Sequence, residues 1–579
     1  MRGLKIIVII SIILQQTFLF AQVSLSITTS SADNQDNVLQ KYVGLSNVDD
    51  SLSAIKEFYK VVGKLQADGY LLASLDSVFI EEGRIGGLFY VGSQYQYGEF
   101  TDLRISGGKR DGLFSRGNPG VFTRSSIESV FQKKLQVANN SGFPFASIKL
   151  DSVIINQALI SGVVNFDTGH LIKFDTLKIN DGPKPRLRYL SAYLKIQPEG
   201  PYNEKRVRQI PEYFDQLPYY NLTAPPELLF HNNEARISLE VEKVKSNRFD
   251  GIVGILPNSS EDGKLLVTGE LNLELLNLFE SGKEFKFHWQ RLREETQYLD
   301  LWLKLPNVLN SPLDLIAVYK QLKEDTTFVN RNARLGMAIR VSPRSDLNFF
   351  VDFKSAGLLA TDQLQVGLDP ENLDFDLTRY GANYHFRTLS PNNIRDEGIE
   401  LSFEASAGTK KINRNATLDD QVYSGLDLST ALYQFEFDGR YQKEIFRAGF
   451  IFHRLRSGLL INDHILMNDM FRVGGFNTLR GFNENFFFAN KYLLSNIEFR
   501  VPFDRSSYLF LFYDQSFLTT SVTALNGDTK QDYPFGFGLG LQLETASGDF
   551  KFAYAVGQSK NTDLSFNQSK IHFGIINRF

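Results

Sequence analysis

The residues with the most chemistry to offer in this sequence are one arginine and two carboxylates. Val473 to Phe482 reads VGGFNTLRGF: five of its ten residues are Gly, Asn or Thr, two are Phe, and Arg480 alone is charged. Downstream, Glu498 stands in NIEFRVPF (Asn496 to Phe503) and Asp514 in LFLFYDQSF (Leu509 to Phe517). A guanidinium is a planar fork of five donors that matches a carboxylate edge to edge. Withdrawn from water without such a partner, it costs several kcal/mol or more. The trio therefore supports a clamp rather than turnover. Catalysis has no other foothold: HExxH, GxSxG and phosphate-cradling glycine loops are absent, and the seven histidines are scattered. With no Cys, disulfides, thiolate metal sites and a lipid-modified N-terminal cysteine are excluded. No enzyme activity, cofactor or metal is expected. On an exposed loop Arg480 would need no partner, so the elements around it decide its meaning.

From Phe249 onward, segments such as LLVTGELNLELL, KEFKFHWQRL, QYLDLWLKL and IELSFEASAG alternate apolar with polar residues between turn residues. In Tyr492 to Phe503, Leu493, Ile497, Phe499, Val501 and Phe503 share one face, and Asn496, Glu498 and Arg500 the other. Such strands suit a sheet with lipid on one side and water on the other. Abundant Phe (49) and Tyr (24) beside scarce Trp (2) and Met (4) favour strands as well. Turns divide Phe249 to Phe579 into about 16 candidate strands of about 9–13 residues, an even number and long enough to cross the hydrocarbon when tilted. Closure would remove the edges of so long an array. The expected fold class is mainly β, with a C-terminal 16-stranded antiparallel transmembrane β-barrel over 247–579. VGGFNTLRGF then falls between the eleventh and twelfth strands, in the longest loop, about 458–489. Glu498 lies on the lumen face of the twelfth strand and Asp514 on the thirteenth, so Arg480 is expected within ion-pair distance of Glu498 or Asp514. The chain stops on KIHFGIINRF. That end resembles the C-terminal recognition signal of barrel proteins through His572, Gly574 and Phe579, with Asn577 where an apolar residue is usual.

The first third has a different pattern. MRGLKIIVIISIILQQTFLFAQ carries Arg2 and Lys5, an apolar run from Ile6 to Leu14 and a cut after Ala21, which predicts a signal peptide over 1–21. Beyond it no window approaches the roughly 18 apolar residues of a transmembrane helix. GYLLASLDSV (Gly69 to Val78) and GFPFASIKLDSV (Gly142 to Val153) are alike, as are FTDLRIS (Phe100 to Ser106) and FDTLKIN (Phe174 to Asn180). A period of about 73 residues means one supersecondary unit used several times. Leu52, Ile55, Phe58, Tyr59, Val62 and Leu65 recur at helical spacing and are predicted to share a buried face, with Lys56, Lys60 and Lys64 outward. Ser125 and Glu128 form a candidate capping box for the next helix. A third unit is predicted with a helix near Asn203 to Gln216, interrupted at Pro211, and a strand ARISLEVEK (Ala235 to Lys243).

Helices packed on small strand sets and repeated on an exported chain resemble POTRA domains, three of which fit over 22–96, 97–171 and 172–246. Taken with the barrel, the constellation resembles the Omp85 superfamily. Leu479-Arg480-Gly481-Phe482 matches its loop motif, Phe512-Tyr513-Asp514 its FxD strand motif, and NIEFRVPF the strand between. Gln515 and Ser516 depart from it, since many members have a small residue and Gly after the aspartate. The resemblance implies an outer-membrane protein of a Gram-negative bacterium, with POTRA domains in the periplasm and the long loop folded inward. It implies an assembly or insertion factor of the BamA/TamA kind (the bacterial surface antigen D15 type). Such a factor captures extended clients on POTRA strand edges and passes them through a seam between the first strand, Phe249 to Pro257, and KIHFGIINRF. The alternative is a two-partner-secretion transporter of the haemolysin or adhesin activator type, whose family carries two POTRA units and a plug helix. Implied partners are the outer-membrane lipid bilayer, unfolded outer-membrane or secreted clients, and periplasmic or inner-membrane accessory proteins. The net charge of -4 and pI near 6.1 leave no footprint for nucleic acid.

Overall fold

A computed structural model describes residues 25–29, 36–42, 48, 50–81, 84–102, 120–180, 182–257, 265–291, 296–359, 371–389, 395–446, 449–504, 507–522, 529–545 and 548–578. The signal segment 1–21 and Phe579 lie outside the described residues. The chain divides into two compact units, Met1–Lys173 with Pro201–Glu204, and Phe174–Gly200 with Lys205–Phe579.

The first unit holds two small α+β sheets of one design. Leu25–Thr29 runs parallel to Arg84–Tyr90, which pairs antiparallel with Ser74–Glu81. Gln96–Asp102 runs parallel to Leu159–Asp167, which pairs antiparallel with Ser147–Asn156. Helix Ser51–Ala67 opens on Asp50, whose carboxylate accepts from Ser53 N–H at 2.6 Å, and buries Ala54, Phe58, Val61, Val62 and Leu65. Phe58 meets Phe89 of the sheet edge-on at 5.6 Å. The predicted face was rotated: Leu52 and Tyr59, seven residues apart and thus on one shoulder of the helix, are exposed. Ala54, absent from the predicted face, is fully buried in the cluster with Phe58 and Phe89. Helix Arg124–Asn139 is capped by Thr123 and Ser126, not by Ser125 and Glu128. Glu128 instead takes a hydrogen bond from Arg124 Nε at 2.8 Å, one turn back.

The second unit begins with a third α+β element. Its sheet orders Lys173–Ile179, Glu234–Leu239 and Glu227–His231, with helices Leu187–Tyr193, Glu204–Arg208 and Ile210–Asp215. Pro211 lies in the first turn of the last helix, where the N–H it lacks has no partner within the helix. ARISLEVEK likewise splits, Val241–Lys243 leaving to pair with Tyr220–Leu222.

The remainder is one antiparallel sheet of seventeen strands curled into a barrel. Sixteen are long: Arg248–Pro257, Leu265–Leu278, Lys283–Arg291, Gln297–Leu305, Leu313–Glu324, Phe328–Ser342, Ser345–Leu358, Phe375–Arg387, Gly398–Ile412, Ser429–Phe446, Gly449–Ile461, Lys491–Pro502, Tyr508–Ser521, Phe535–Thr545, Gly548–Gln558 and Lys570–Arg578. The seventeenth, Thr529–Asp532, pairs with the tip of strand thirteen. It is the upper piece of strand fourteen, cut off at Pro534, which cannot donate to the ladder. Odd-numbered strands end at the distal rim, which carries the long loop. Among the described residues, strands one and sixteen pair at Arg248 with Arg578 and at Phe249 with Asn577.

Side chains alternate as a membrane barrel requires. On strand thirteen Leu509, Leu511, Tyr513 and Phe517 point outward and are exposed, while Tyr508, Phe510, Phe512, Asp514, Ser516 and Leu518 are buried inward. Outward aromatics and aliphatics continue around the wall at Leu335, Phe349, Tyr380, Phe403, Phe435 and Leu539. An apolar belt of that extent belongs in lipid. No helix among the described residues is long and apolar enough to cross a membrane. Leu511→Arg is expected to destabilise the barrel by about 2–4 kcal/mol in phospholipid vesicles. Leu52→Arg, on a water-facing helix shoulder, is expected to stay within about 0.5 kcal/mol. Urea titration of the refolded protein measures both.

Candidate functional site

The loop between strands eleven and twelve turns into the lumen, and its sequence explains how. It leaves Ile461 through a single 3-10 turn, Met467–Asp469, and a short hairpin of Phe471–Val473 with Phe487–Ala489. The tip between the hairpin strands folds on itself: Gly475 N–H donates to Leu479 O at 3.1 Å and Gly474 N–H to Thr478 Oγ1 at 2.8 Å. Phe476 N–H donates to Glu484 Oε1 at 2.8 Å. Burial raises the Glu484 carboxyl above the usual carboxylate range, although that N–H works the other way.

Arg480 stands at the centre of the tip, only 4% exposed. Its Nε donates to Asp514 Oδ2 at 2.8 Å and its Nη2 to Asp514 Oδ1 at 2.6 Å, a two-pronged pair. Its Nη1 donates to Glu498 Oε1 at 2.6 Å, and its own backbone N–H reaches Asp514 Oδ2 at 3.1 Å. The guanidinium carbon lies 3.7 Å from the Phe512 ring centroid, so the FxD phenylalanine is the floor under the cation. Glu498 is shared, its Oε2 accepting from Arg500 Nε at 2.8 Å, and Arg500 Nη1 donates to Gln442 Oε1 at 2.9 Å. Burial disfavours the Arg480 charge, but Asp514 and Glu498 outweigh it and hold its pKa above the ordinary arginine value.

The neighbours of Arg480 shape the approach. Leu479 and Phe482 are buried against Val473, Ala489, Leu494 and Leu518. Gly481 has φ of 94°, and a Cβ there would lie 2.7 Å from Gly557 N on strand fifteen. On strand fourteen a Cβ at Gly536 would lie 1.9 Å from Arg480 O. The loop tip thus rests backbone against backbone on strands that have shed their side chains. Neither Gly536 nor Gly557 is among the residues singled out from the sequence; their signal was a glycine at an inward strand position. Ser516 is fully buried beyond Asp514, its Oγ 3.3 Å from Leu493 O, and so fits the inward place it occupies.

His572 and Gly574 lie on strand sixteen. The His572 ring sits 5.6 Å from that of Phe476 at the loop tip, and Gly574 faces open space. Both line a lumen cavity of about 1190 Å³ between the tip and the inner wall, with Asp250, Glu270, His288, Arg334, Glu404 and Glu484. Phe579 lies outside the described residues. Among the described residues no group of His and carboxylates has the arrangement of a metal site.

A family model described as the Omp85 superfamily domain matches residues 318–579. The chain carries an Omp85 superfamily domain. The match begins within strand five and includes the long loop, Arg480, Glu498, Asp514 and His572. CdiB from Escherichia coli superimposes at a TM-score of 0.56 with 10% identity, over 95% of this chain and 100% of that one. CdiB from Acinetobacter baumannii gives 0.55 with 12% identity, over 92% and 100%. BamA from Haemophilus ducreyi lacking POTRA domains 1–3 gives 0.42 with 11% identity, over 84% and 100%. At these identities the CdiB likeness concerns the fold. No curated protein matches the sequence.

Within the Omp85 domain, Arg480→Met leaves the Asp514 charge buried without a counter-ion, and is expected to destabilise the folded loop by about 3–5 kcal/mol. Combined with Asp514→Asn, the two changes are expected to be non-additive by roughly 1–3 kcal/mol in a double-mutant cycle on urea midpoints. Gly536→Val is expected to expose the loop to protease as strongly as Arg480→Met does, without touching a charge.

Proposed function

We propose that the protein assembles or translocates other polypeptides at the outer membrane of a Gram-negative bacterium, as a barrel-assembly or insertion factor. Its three N-terminal α+β units are POTRA domains held in the periplasm. The observation that carries this reading is the seam. Among the described residues, strands one and sixteen share two register positions, whereas the next shortest ladders between long strands hold seven. Unpaired strand edges in lipid are unstable unless another strand supplies the missing hydrogen bonds. A client strand is such a supplier. The same logic holds in the N-terminal units, where Ser74–Glu81, Ser147–Asn156 and Glu227–His231 are edge strands of their sheets. Ile80, Ile154 and Leu229 stand exposed on them, as β-augmentation by an extended client needs. The pinned loop supports the reading by closing the lumen beside the seam while the seam remains the weak line in the wall.

Two experiments test the proposal. Depletion followed by quantitative proteomics of outer membrane and medium is expected to show a broad fall in outer-membrane barrels. Loss of one large secreted protein with barrels intact would replace the reading with a dedicated two-partner exporter. Because the chain has no cysteine of its own, Phe249→Cys with Asn577→Cys places a pair at a register position of the seam. Oxidation is expected to abolish client assembly and reduction to restore it.

A further inference from the structure

We propose that Lys410 and Asp469 form a second latch on the long loop, opposite in polarity to the Arg480 clamp, and that the lumen opens at its distal end only when this latch releases. Lys410, near the distal end of strand nine, is wholly buried. Its ammonium is bound to Asp469 Oδ2 in the 3-10 turn at the root of the loop and to His464 O at 2.7 Å. Asp469 Oδ2 also accepts from Leu466 N–H at 3.0 Å, so the carboxylate holds the turn in shape while holding it to the wall. Beside it, Lys354 of strand seven donates to Asn468 O at 2.9 Å, and both ammonium groups face the Phe375 ring, 5.2 and 4.7 Å from its centroid.

Apolar residues pack around the latch. Phe375, Ile412, Ile465, Leu466 and Met470 belong to one buried cluster at the distal rim. An apolar side chain at position 410 would fit that cluster, and a buried ion pair is generally no more stable than well-packed hydrophobic residues of similar volume. What the ion pair adds is a contact that water can undo. Asp469 Oδ1 and Asn468 Oδ1 are buried with no hydrogen bond among the described residues, so hydration of the turn would satisfy both. Polarity distinguishes the two anchors. At the tip the loop supplies the cation and the wall the carboxylates, while at the root the wall supplies the cation and the loop the carboxylate. A passing segment of one charge sign therefore competes for one anchor and not the other.

The labelling arm of the test does not depend on the proposed function; the conductance arm rests on the lumen being its route. In the refolded full chain, Ile465→Cys provides a unique thiol in the buried cluster. Asp469→Asn, which keeps the shape but loses the charge, is expected to speed maleimide labelling at least tenfold and raise single-channel conductance in planar bilayers. Asp469→Glu is expected to restore both, and the heat-modified gel mobility of the barrel is expected to stay that of the folded parent. Should Asp469→Asn not assemble, Lys410→Gln carries the same comparison. Labelling unchanged in an assembled variant overturns the latch. Faster labelling with unchanged conductance keeps the tether and overturns its control of the lumen.

Discussion

A guanidinium withdrawn from water has to recover its hydration from the groups around it, and Arg480 does so from two carboxylates on adjacent strands and one aromatic ring. The requirement is strict because each partner is also buried: Asp514 has no exposed surface, and Glu498 is divided between Arg480 and Arg500. Removing Asp514 takes away the two-pronged partner of Arg480, and removing Arg480 leaves the Asp514 charge buried without a counter-ion, where it costs far more than a lost surface pair. Much of the local architecture follows. The loop must be long enough to reach the wall, Gly481 must take a left-handed turn, and strands fourteen and fifteen must be bare at Gly536 and Gly557 for the backbone to arrive.

The barrel supplies the other half of the argument. Alternation along each strand sends aliphatic and aromatic side chains to the lipid and gathers charge inside, where Arg334, Asp352, Arg379 and Glu404 neutralise one another across strands six to nine. A lumen so lined is polar, and the folded-in loop occupies part of it. The loop lies against the wall at its root and tip, and its Phe476 touches His572 on strand sixteen. The occluding element and the weakly paired seam therefore meet through one aromatic contact.

How much of this was legible in the sequence depended on whether the signal was local. Strand alternation is a period-two pattern, and it gave the sixteen long strands, the inward faces of Glu498 and Asp514, and the loop that holds Arg480. Pro534 split one strand, which raised the count to seventeen through a single missing N–H. The apolar period of the first helix includes Leu52 and Tyr59, which are exposed, and misses the small Ala54, which takes a place on the buried face. Thr123 took the cap from Ser125 for want of any sequence difference between neighbouring hydroxyls. Gly536, Gly557 and the Lys410 to Asp469 pair were illegible for a different reason. They are defined by what comes to them from remote positions, and no window of sequence contains both partners.

The placement of the loop tip inside the barrel is the claim on which the rest turns. A photo-crosslinking phenylalanine analogue at Phe476, irradiated in intact membranes and read by mass spectrometry, tests it directly. The tip lying against strand sixteen requires crosslinks to Lys570–Arg578, centred on His572. A protein crosslinked at this position only to external partners, with strand sixteen untouched, would mean that the loop projects outward and that Arg480 is not the clamp described.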